Sequence, residues 1–293
     1  MSTGQTKPLL VLGADGMLGR AIVQWCTQEG RPFHARTFPA FDLASPDSIR
    51  RSLEGEWDAV VNCAAFTDVD GAETSERLAF AVNAVGPASL AHECRQQSVP
   101  LVHFSTDYVF AGNGAEPYPP IDPPAASPPA NAYGRSKLAG ERAIAASGCR
   151  HLIIRTSWLY APWAKNFVRT ITAAARSRPE LRVVDDQRGR PTSAQHLARC
   201  ALQLLSRVHE PGMSGVWHVT DGGACSWFEF ACEIVRLANA SCSVHPCSTS
   251  EFPRPARRPA FSVLDLAKTV EALGPMPDWR TNLAQVMSVL EPL

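Results

Sequence analysis

Leu9-Leu-Val-Leu-Gly13-Ala-Asp-Gly16-Met-Leu-Gly19 decides the fold of this chain. A short apolar run leads into glycines spaced G-x-x-G-x-x-G, and Ala21, Ile22, Trp25 and Cys26 then recur at helical spacing. Strand, glycine turn and helix in that order is the setting in which a glycine pattern becomes a dinucleotide fingerprint. Gly13 permits the tight exit from the strand, Gly16 lets backbone N–H groups approach a pyrophosphate, and Gly19 lets the helix pack closely on the sheet. The competing reading, an ordinary glycine-rich strand-to-helix turn, is weakened by the position at the first strand. The spacing also differs from the G-x-G-x-x-G of typical two-domain dehydrogenases, which narrows the class.

The rest of the first half alternates strand and helix. Pro32–Arg36 reads as a second strand, and Ser45-Pro46-Asp47 opens a helix as N-cap, first-position proline and first-turn acid. Ala59-Val-Val-Asn62 is a buried strand followed by a helix through Ala79 to Cys94. Leu101-Val-His-Phe-Ser105 is the next strand, Tyr133 to Ala146 the next helix, and His151-Leu-Ile-Ile-Arg155 the next strand. Apolar strands separated by helices predict an α/β fold with a parallel, doubly wound sheet covered on both faces. Further on, Val216-Trp-His-Val219 reads as a strand and Trp227 to Ala240 as a helix of the carboxyl-terminal part. The segment from Pro117 to Pro129 holds seven prolines, so it is neither helix nor central strand. It is expected to be a stiff exposed loop beside the Tyr133 helix and a candidate substrate lid.

Composition excludes several classes. At 293 residues the chain buries roughly three quarters of its unfolded surface, enough for one large domain and a smaller lobe. Formal net charge is zero, from 28 basic and 28 acidic residues, so no global field favours nucleic acid or an anionic membrane. No apolar run approaches the ~20 residues of a membrane span, and Met1-Ser-Thr-Gly-Gln-Thr-Lys7 has no apolar signal core. A cytoplasmic location and reduced thiols for the nine cysteines are expected. Cys26, Cys63, Cys94, Cys149 and Cys200 read as small core residues. Cys242-Ser-Val-His-Pro-Cys247 faintly resembles a metal half-site, but without a second half no metal is expected.

Tyr133-Gly-Arg-Ser-Lys137 carries the chemistry, because side chains at i and i+4 share one helix face. An ammonium beside a phenol favours the phenolate and is expected to lower the Tyr133 pKa from its usual value of about 10. A phenol so tuned protonates a carbonyl oxygen while a hydride attacks its carbon. Alone, such a pair reads as solvated helix surface; the glycine turn upstream changes the balance. Ligands of open parallel sheets gather beyond the carboxyl ends of the strands. That rule groups the glycine turn with Asn62-Cys-Ala64-Ala65-Phe66-Thr67, with Ser105-Thr106-Asp107 and with the loop after Arg155. Small Ala64 and Ala65 leave room for a dinucleotide, and the Thr106 hydroxyl is placed to share a carbonyl with Tyr133. An ST-turn at a strand end is the other reading of Thr106.

With these residues quoted, the chain resembles the extended short-chain dehydrogenases/reductases, and within them the dTDP-4-dehydrorhamnose reductase family. The resemblance rests on the fingerprint, Asn62-Cys-Ala-Ala65, Thr67-Asp-Val-Asp70-Gly-Ala-Glu73, Ser105-Thr-Asp-Tyr-Val-Phe110-Ala-Gly-Asn113-Gly, Tyr133-Gly-Arg-Ser-Lys137-Leu-Ala-Gly-Glu141 and Arg155-Thr-Ser-Trp158. It continues through Asn166-Phe167, Asp186-Gln-Arg-Gly-Arg-Pro191-Thr192 and Pro255-Ala-Arg257-Arg258-Pro259. It implies a Rossmann-like NAD(P)-binding domain over 1–160, with a return segment near 181–210, and a smaller sugar-nucleotide-binding lobe mainly within 161–293. The implied reaction reduces the C4 ketone of dTDP-4-dehydro-β-L-rhamnose. Tyr133 is then the proton donor, Lys137 holds the nicotinamide ribose, and Thr106 hydrogen-bonds the carbonyl. The coenzyme is expected at Gly13, Asp15, Gly16, Met17, Leu18, Gly19, Arg36, Asp42, Leu43, Ala64, Ala65 and Phe66 as well as at Tyr133 and Lys137. Asp107 and Trp158 match sugar-contacting positions, and Asn83 matches an Asn that steadies active-site backbone and water. Arg257 and Arg258, between prolines, suit a bidentate grip on a diphosphate, against the plainer reading of a solvated charge run. Arg188 and Arg190 carry the same ambiguity.

Two positions depart from the family pattern. Where relatives end the second strand with an acid, this chain has Arg36, which attracts a 2′-phosphate, so NADPH is expected to be favoured over NADH. Where some relatives hold an intersubunit metal with an acid, it has Gln195, a poor ligand, so a monomer or weak homodimer is expected. Other readings are a reductase of another nucleotide-linked 4-keto-deoxyhexose and a non-catalytic regulatory subunit, like that of methionine adenosyltransferase.

Overall fold

Strand β1 (Leu9–Leu12) is buried at every position, as a strand covered on both faces must be. The computed structural model describes residues 7–123 and 125–290; 1–6, which hold most of the polar start, Pro124 of the proline-rich segment and 291–293 lie outside it. Helix α1 (Met17–Gln28) and strand β2 (Phe33–Arg36) complete the first crossover, and β2 pairs parallel with β1. Helix α2 (Pro46–Ser52) starts at Ser45, whose side chain accepts from Ser48 N. It leads to β3 (Ala59–Asn62), on the other side of β1. The order of the strands therefore reverses between β1 and β3, where an open α/β sheet forms its ligand crevice.

The helix expected through Ala79 to Cys94 forms without a gap, but a π-helical turn widens it in the middle. Two short segments, α3 (Gly71–Thr74) and α4 (Glu76–Phe80), precede a π-helical turn over Ala81–Val85, and α5 (Gly86–Gln96) follows. Strand β4 (Leu101–Thr106), helix α6 (Ala132–Ser147) and strand β5 (His151–Thr156) come next. Short β6 (Leu159–Tyr160), α7 (Phe167–Ser177), β7 (Glu180–Val184), β8 (Arg188–Gly189) and β9 (Thr192–Ser193) lead to α8 (Ala194–Ser206) and β10 (Gly215–His218). The chain continues through β11 (Cys225–Ser226), α9 (Trp227–Leu237), β12 (Ser243–Cys247), α10 (Ala267–Leu273) and α11 (Trp279–Ser288).

The main sheet runs β10-β5-β4-β3-β1-β2 and is parallel throughout. Alternate residues feed opposite cores. Leu9, Val11, Val61, Val102 and Ile154 pack with α1 and α8 through Ile22, Leu197 and Ala201. Leu10, Leu12, Val60, Leu101 and Ile153 pack with Ile49, Leu90 and Ile144 on the other face. Strand β10, expected in the carboxyl-terminal part, is an edge of this main sheet, paired parallel to β5.

A second core joins α7, α9 and α11 around Tyr160, Phe230 and Trp279, with β7 and β12 paired parallel beside it. Among the described residues no helix is long and apolar enough to cross a membrane.

Candidate functional site

The glycine turn closes on the switch point. Gly13 has φ +71° and donates to Arg36 O at 2.9 Å, and a Cβ there would sit 2.7 Å from Ala64 N. A Cβ on Gly19 would collide with the Gly13 carbonyl, so α1 lies too close to the turn for any side chain. Gly16 caps α1 with no side-chain hydrogen bond, leaving first-turn N–H groups of the kind that bind phosphate.

A cavity of about 820 Å³ opens above these strand ends. It brings together Gly13, Asp15, Gly16, Met17, Leu18, Asp42, Leu43, Ala64 and Ala65 with Thr106, Asp107, Tyr133, Lys137 and Trp158. Its size lies in the upper part of the range of about 300 to 1,000 Å³ usual for ligand sites. Ser105 Oγ and Thr156 Oγ1 border it, buried and without a hydrogen-bond partner among the described residues, which suits a polar ligand. Glycines a side chain would fill, uncapped helix N–H groups and these hydroxyls together fit a dinucleotide coenzyme.

Five expected site residues do not line the cavity. Gly19 acts from behind, as packing; Arg36 contributes its carbonyl to Gly13 N and Ala14 N, at 2.9 and 3.2 Å. Phe66 is held by its backbone: its N–H donates to Asn83 Oδ1 and its carbonyl accepts from Asn83 Nδ2, both at 2.9 Å. Arg258 is committed to Asp70, with Nη1 2.9 Å from Oδ1, and holds that carboxyl below its ordinary pKa against some desolvation. Arg257 is exposed, and its carbonyl accepts from Asn131, the N-cap of α6, at 2.9 Å. Arg190 reaches the Leu264 and Gly223 carbonyls, while Arg188 faces Glu229; neither borders the cavity.

The central trio differs from expectation in its electrostatics. Lys137 is 2% exposed and donates from Nζ to the Phe104 carbonyl at 2.7 Å, with His103 Nε2 3.2 Å away. Burial lowers its pKa to about 8, Glu141 pulling the other way. Tyr133 moves upward rather than down: desolvation dominates, Asp107 adds to it, and a hydrogen bond with Thr106 opposes it. The expected lowering by Lys137 is absent because the amine is turned onto β4. Thr106 donates to Asp107 Oδ1 at 3.0 Å and accepts from Tyr108 N at 3.2 Å. It thus forms the ST-turn and borders the cavity at once. Asp107 is raised to about 6 by burial, against the hydroxyls of Ser262 and Thr106.

Asn83 sits in the π-helical turn, bonded to the Phe66 backbone and, at 3.1 Å, to Ser136 Oγ of α6. It ties the loop after β3 to the helix that carries Tyr133 and Lys137. An extra residue inserted in a helix commonly marks a functional place.

Trp158, at φ +47°, stacks on Trp227 with ring centroids 3.6 Å apart and 9° between planes. Both rings line the cavity, although Trp227 stands out in the sequence only as the start of a helix. Phe38, Phe41 and Leu78 also line it, and no sequence pattern marks them. Cys63, expected in the core, is half-buried at the cavity wall.

The proline-rich segment borders the cavity at no described residue. It is pinned elsewhere: Asp122 pairs with Arg142, the Ile121 carbonyl accepts from Arg155 at 2.8 Å, and Tyr118 stacks on Phe110. The lid expectation is corrected accordingly. Gln195 accepts from Ser193 Oγ at 3.1 Å, and no cluster of three His, Cys, Asp or Glu is placed to hold a metal among the described residues.

The RmlD substrate binding domain pattern matches residues 7–291. The dTDP-4-dehydrorhamnose reductase of Mycobacterium tuberculosis is 38% identical over 291 residues, covering 97% of this chain and 94% of that protein. A probable dTDP-4,6-dihydroxy-2-methyloxan-3-one 4-ketoreductase of Streptomyces antibioticus is 38% identical over 280 residues, covering 94% and 93%. The crystal structure of dTDP-4-dehydrorhamnose reductase from Bacillus anthracis in complex with NADP superposes with a TM-score of 0.90 at 33% identity, covering 97% of this chain and 99% of that one. Sequence likeness along nearly the whole length and the same fold place this chain in the dTDP-4-dehydrorhamnose reductase family.

Proposed function

We propose that the chain reduces the C4 ketone of dTDP-4-dehydro-β-L-rhamnose to dTDP-L-rhamnose, with Tyr133 as proton donor. As a member of its family it is an NADPH-dependent oxidoreductase. The observation that carries the reading is one cavity in which Tyr133, Lys137 and Thr106 share walls with the glycine turn.

NADPH supplies the hydride that attacks the carbonyl carbon. The turn from Gly13 to Leu18 holds the pyrophosphate through backbone N–H groups, with Ala64 and Ala65 leaving room beside it. Tyr133, its pKa raised, keeps the phenolic proton at neutral pH and hands it to the oxygen as charge develops there. Thr106 Oγ1, bonded with that phenol, turns its one proton from Asp107 to the same oxygen. Lys137, one turn along the helix, supplies the cation that steadies the phenolate left behind. Trp158, backed by Trp227, offers the hexose an apolar face, and Asp107 offers a carboxyl for its hydroxyls. Arg257, exposed beside the N-cap of α6, is assigned to the diphosphate, with the second core as the sugar-nucleotide lobe.

The Streptomyces relative, as similar as the mycobacterial one, favours a second reading in which the same site takes another dTDP-linked keto sugar. Loss of NADPH absorbance with dTDP-4-dehydrorhamnose generated in situ tests the first, and NMR of the product gives its stereochemistry. Turnover of that substrate slower than of another dTDP-keto sugar moves the assignment to the second. No NADPH oxidation with either sinks both.

A further inference from the structure

His103 stands in the middle of β4, 1% exposed, on the strand face that also carries Leu101 and receives α6. Its Nδ1 is 3.0 Å from Asn62 Nδ2, and its Nε2 is 3.2 Å from Lys137 Nζ. The Asn62 amide cannot be reversed without loss, because its Oδ1 accepts from Ala64 N at 3.1 Å and a backbone N–H can only donate. The amide nitrogen therefore faces Nδ1, and Nδ1 accepts. Burial keeps the ring far below its ordinary pKa, so it is neutral. A neutral imidazole with an accepting Nδ1 carries its proton on Nε2. That proton points at Nζ. Against an ammonium the contact would be donor to donor. Against an amine it is a hydrogen bond into the lone pair, while Nζ–H donates to the Phe104 carbonyl at 2.7 Å.

We propose that His103 is a positioning residue for Lys137: its Nε2–H, oriented through Asn62 and Ala64, favours the neutral amine of Nζ and holds it against β4, and the fraction of Lys137 in that form takes its proton from solvent when the coenzyme binds. The negative phosphates of the coenzyme favour the ammonium, which leaves His103 and turns to Tyr133 and the ribose. The groups acting on Nζ are His103 and the Phe104 carbonyl on β4, and Glu141 on its own helix; Arg155 on β5 neutralises Glu141. From β3, His103 meets the uncharged amide of Asn62. The inference rests on the roles given to Tyr133 and Lys137 above.

Calorimetric titration of NADPH into the full-length protein near pH 8, where Lys137 titrates, in buffers of different ionisation enthalpy counts protons taken up per coenzyme. The 2′-phosphate is already fully ionised there. Wild type is expected to take up as much as about half a proton at pH 8 and more above it, because the incoming negative charge raises the pKa of the amine. In His103→Gln the amide oxygen can turn to accept from an ammonium, and uptake falls about fivefold or more. Asn62→Asp reaches the same end differently: the carboxylate draws the proton to Nδ1, and Nε2 then accepts from the ammonium. In both variants the ionisation in kcat/KM moves up from about 8, burial still holding it below the ordinary lysine value. Uptake near zero in wild type, or unchanged uptake in the folded variants, overturns the inference. Lys137→Met separates it from its premise. Full turnover in that variant removes the role of Lys137, whereas lost turnover with normal uptake in His103→Gln removes only the role of His103.

Discussion

Two buried polar clusters in this protein look alike in composition and differ in how their charges are matched. Between the main sheet and the second core, Asp221 is fully buried and accepts from His196 Nδ1 and Asn282 Nδ2 at 2.7 Å each, from Ser193 N at 3.1 Å and from Tyr160 Oη at 3.2 Å. Its charge is shared by α8, α11, β9 and β6, and it clamps them. Beneath the cavity, Lys137 has a carbonyl and a neutral imidazole, and its nearest carboxylate is held by Arg155 through bonds of 2.7 to 3.1 Å. A matched buried charge rigidifies, whereas an unmatched one keeps a shifted pKa and is available for chemistry.

The sharpest break is Tyr133→Phe. Turnover with a keto-sugar substrate is expected to fall by about 10² to 10⁴, the usual worth of a positioned proton donor, while the NADPH Kd stays within a few-fold. Undiminished turnover would leave the unmatched cluster without a proton to deliver. Asp221→Ala attacks the matched cluster. It leaves His196 charged and buried and is expected to cost about 3–5 kcal/mol of unfolding free energy by urea titration. A loss below about 1 kcal/mol would mean that Asp221 is no clamp.

A pH series compares the clusters directly. Desolvation disfavours charged His196, but the hydrogen bonds its ring makes to Asp221 and Cys200 outweigh it and raise its pKa to about 9. Its contribution is complete below the unfolded value of about 6.5 and disappears as pH rises through about 9, so stability should drop by on the order of 3 kcal/mol across that window. His196→Asn should flatten the drop; an unaltered slope would assign it to other groups. The smallest effect is expected from Trp227→Ala. Removing the ring behind Trp158 should raise the substrate KM by about two- to tenfold, in line with ~0.5–1.5 kcal/mol for an aromatic pair, with kcat and NADPH binding near wild type.

Legibility followed locality. The glycine turn could be read because its demands are met within a few residues, and Tyr133 with Lys137 because helical spacing alone puts them on one face. Strand β10 could be recognised as a strand but not placed, since its partner β5 lies some sixty residues earlier, Gly215 opposite Leu152. The π-helical turn inside the expected helix is a tertiary matter as well: Asn83 there bonds the Phe66 backbone and Ser136, which no helical pattern announces. His103 did leave a trace, a histidine inside an apolar strand, but its meaning needed Asn62 on one side and Lys137 on the other. The proline-rich segment was legible as a loop, and its attachment to Arg142 and Arg155 was not.

By itself the sequence settled what the backbone must do: where a strand turns tightly, that the strands are covered on both faces, and that a phenol and an amine share a helix. Only the folded chain decided the charge states of those groups, since the fate of Tyr133 and Lys137 turns on desolvation and on partners from distant strands. Backbone geometry obeys neighbours in sequence, while the free energy of a buried charge depends on everything packed around it.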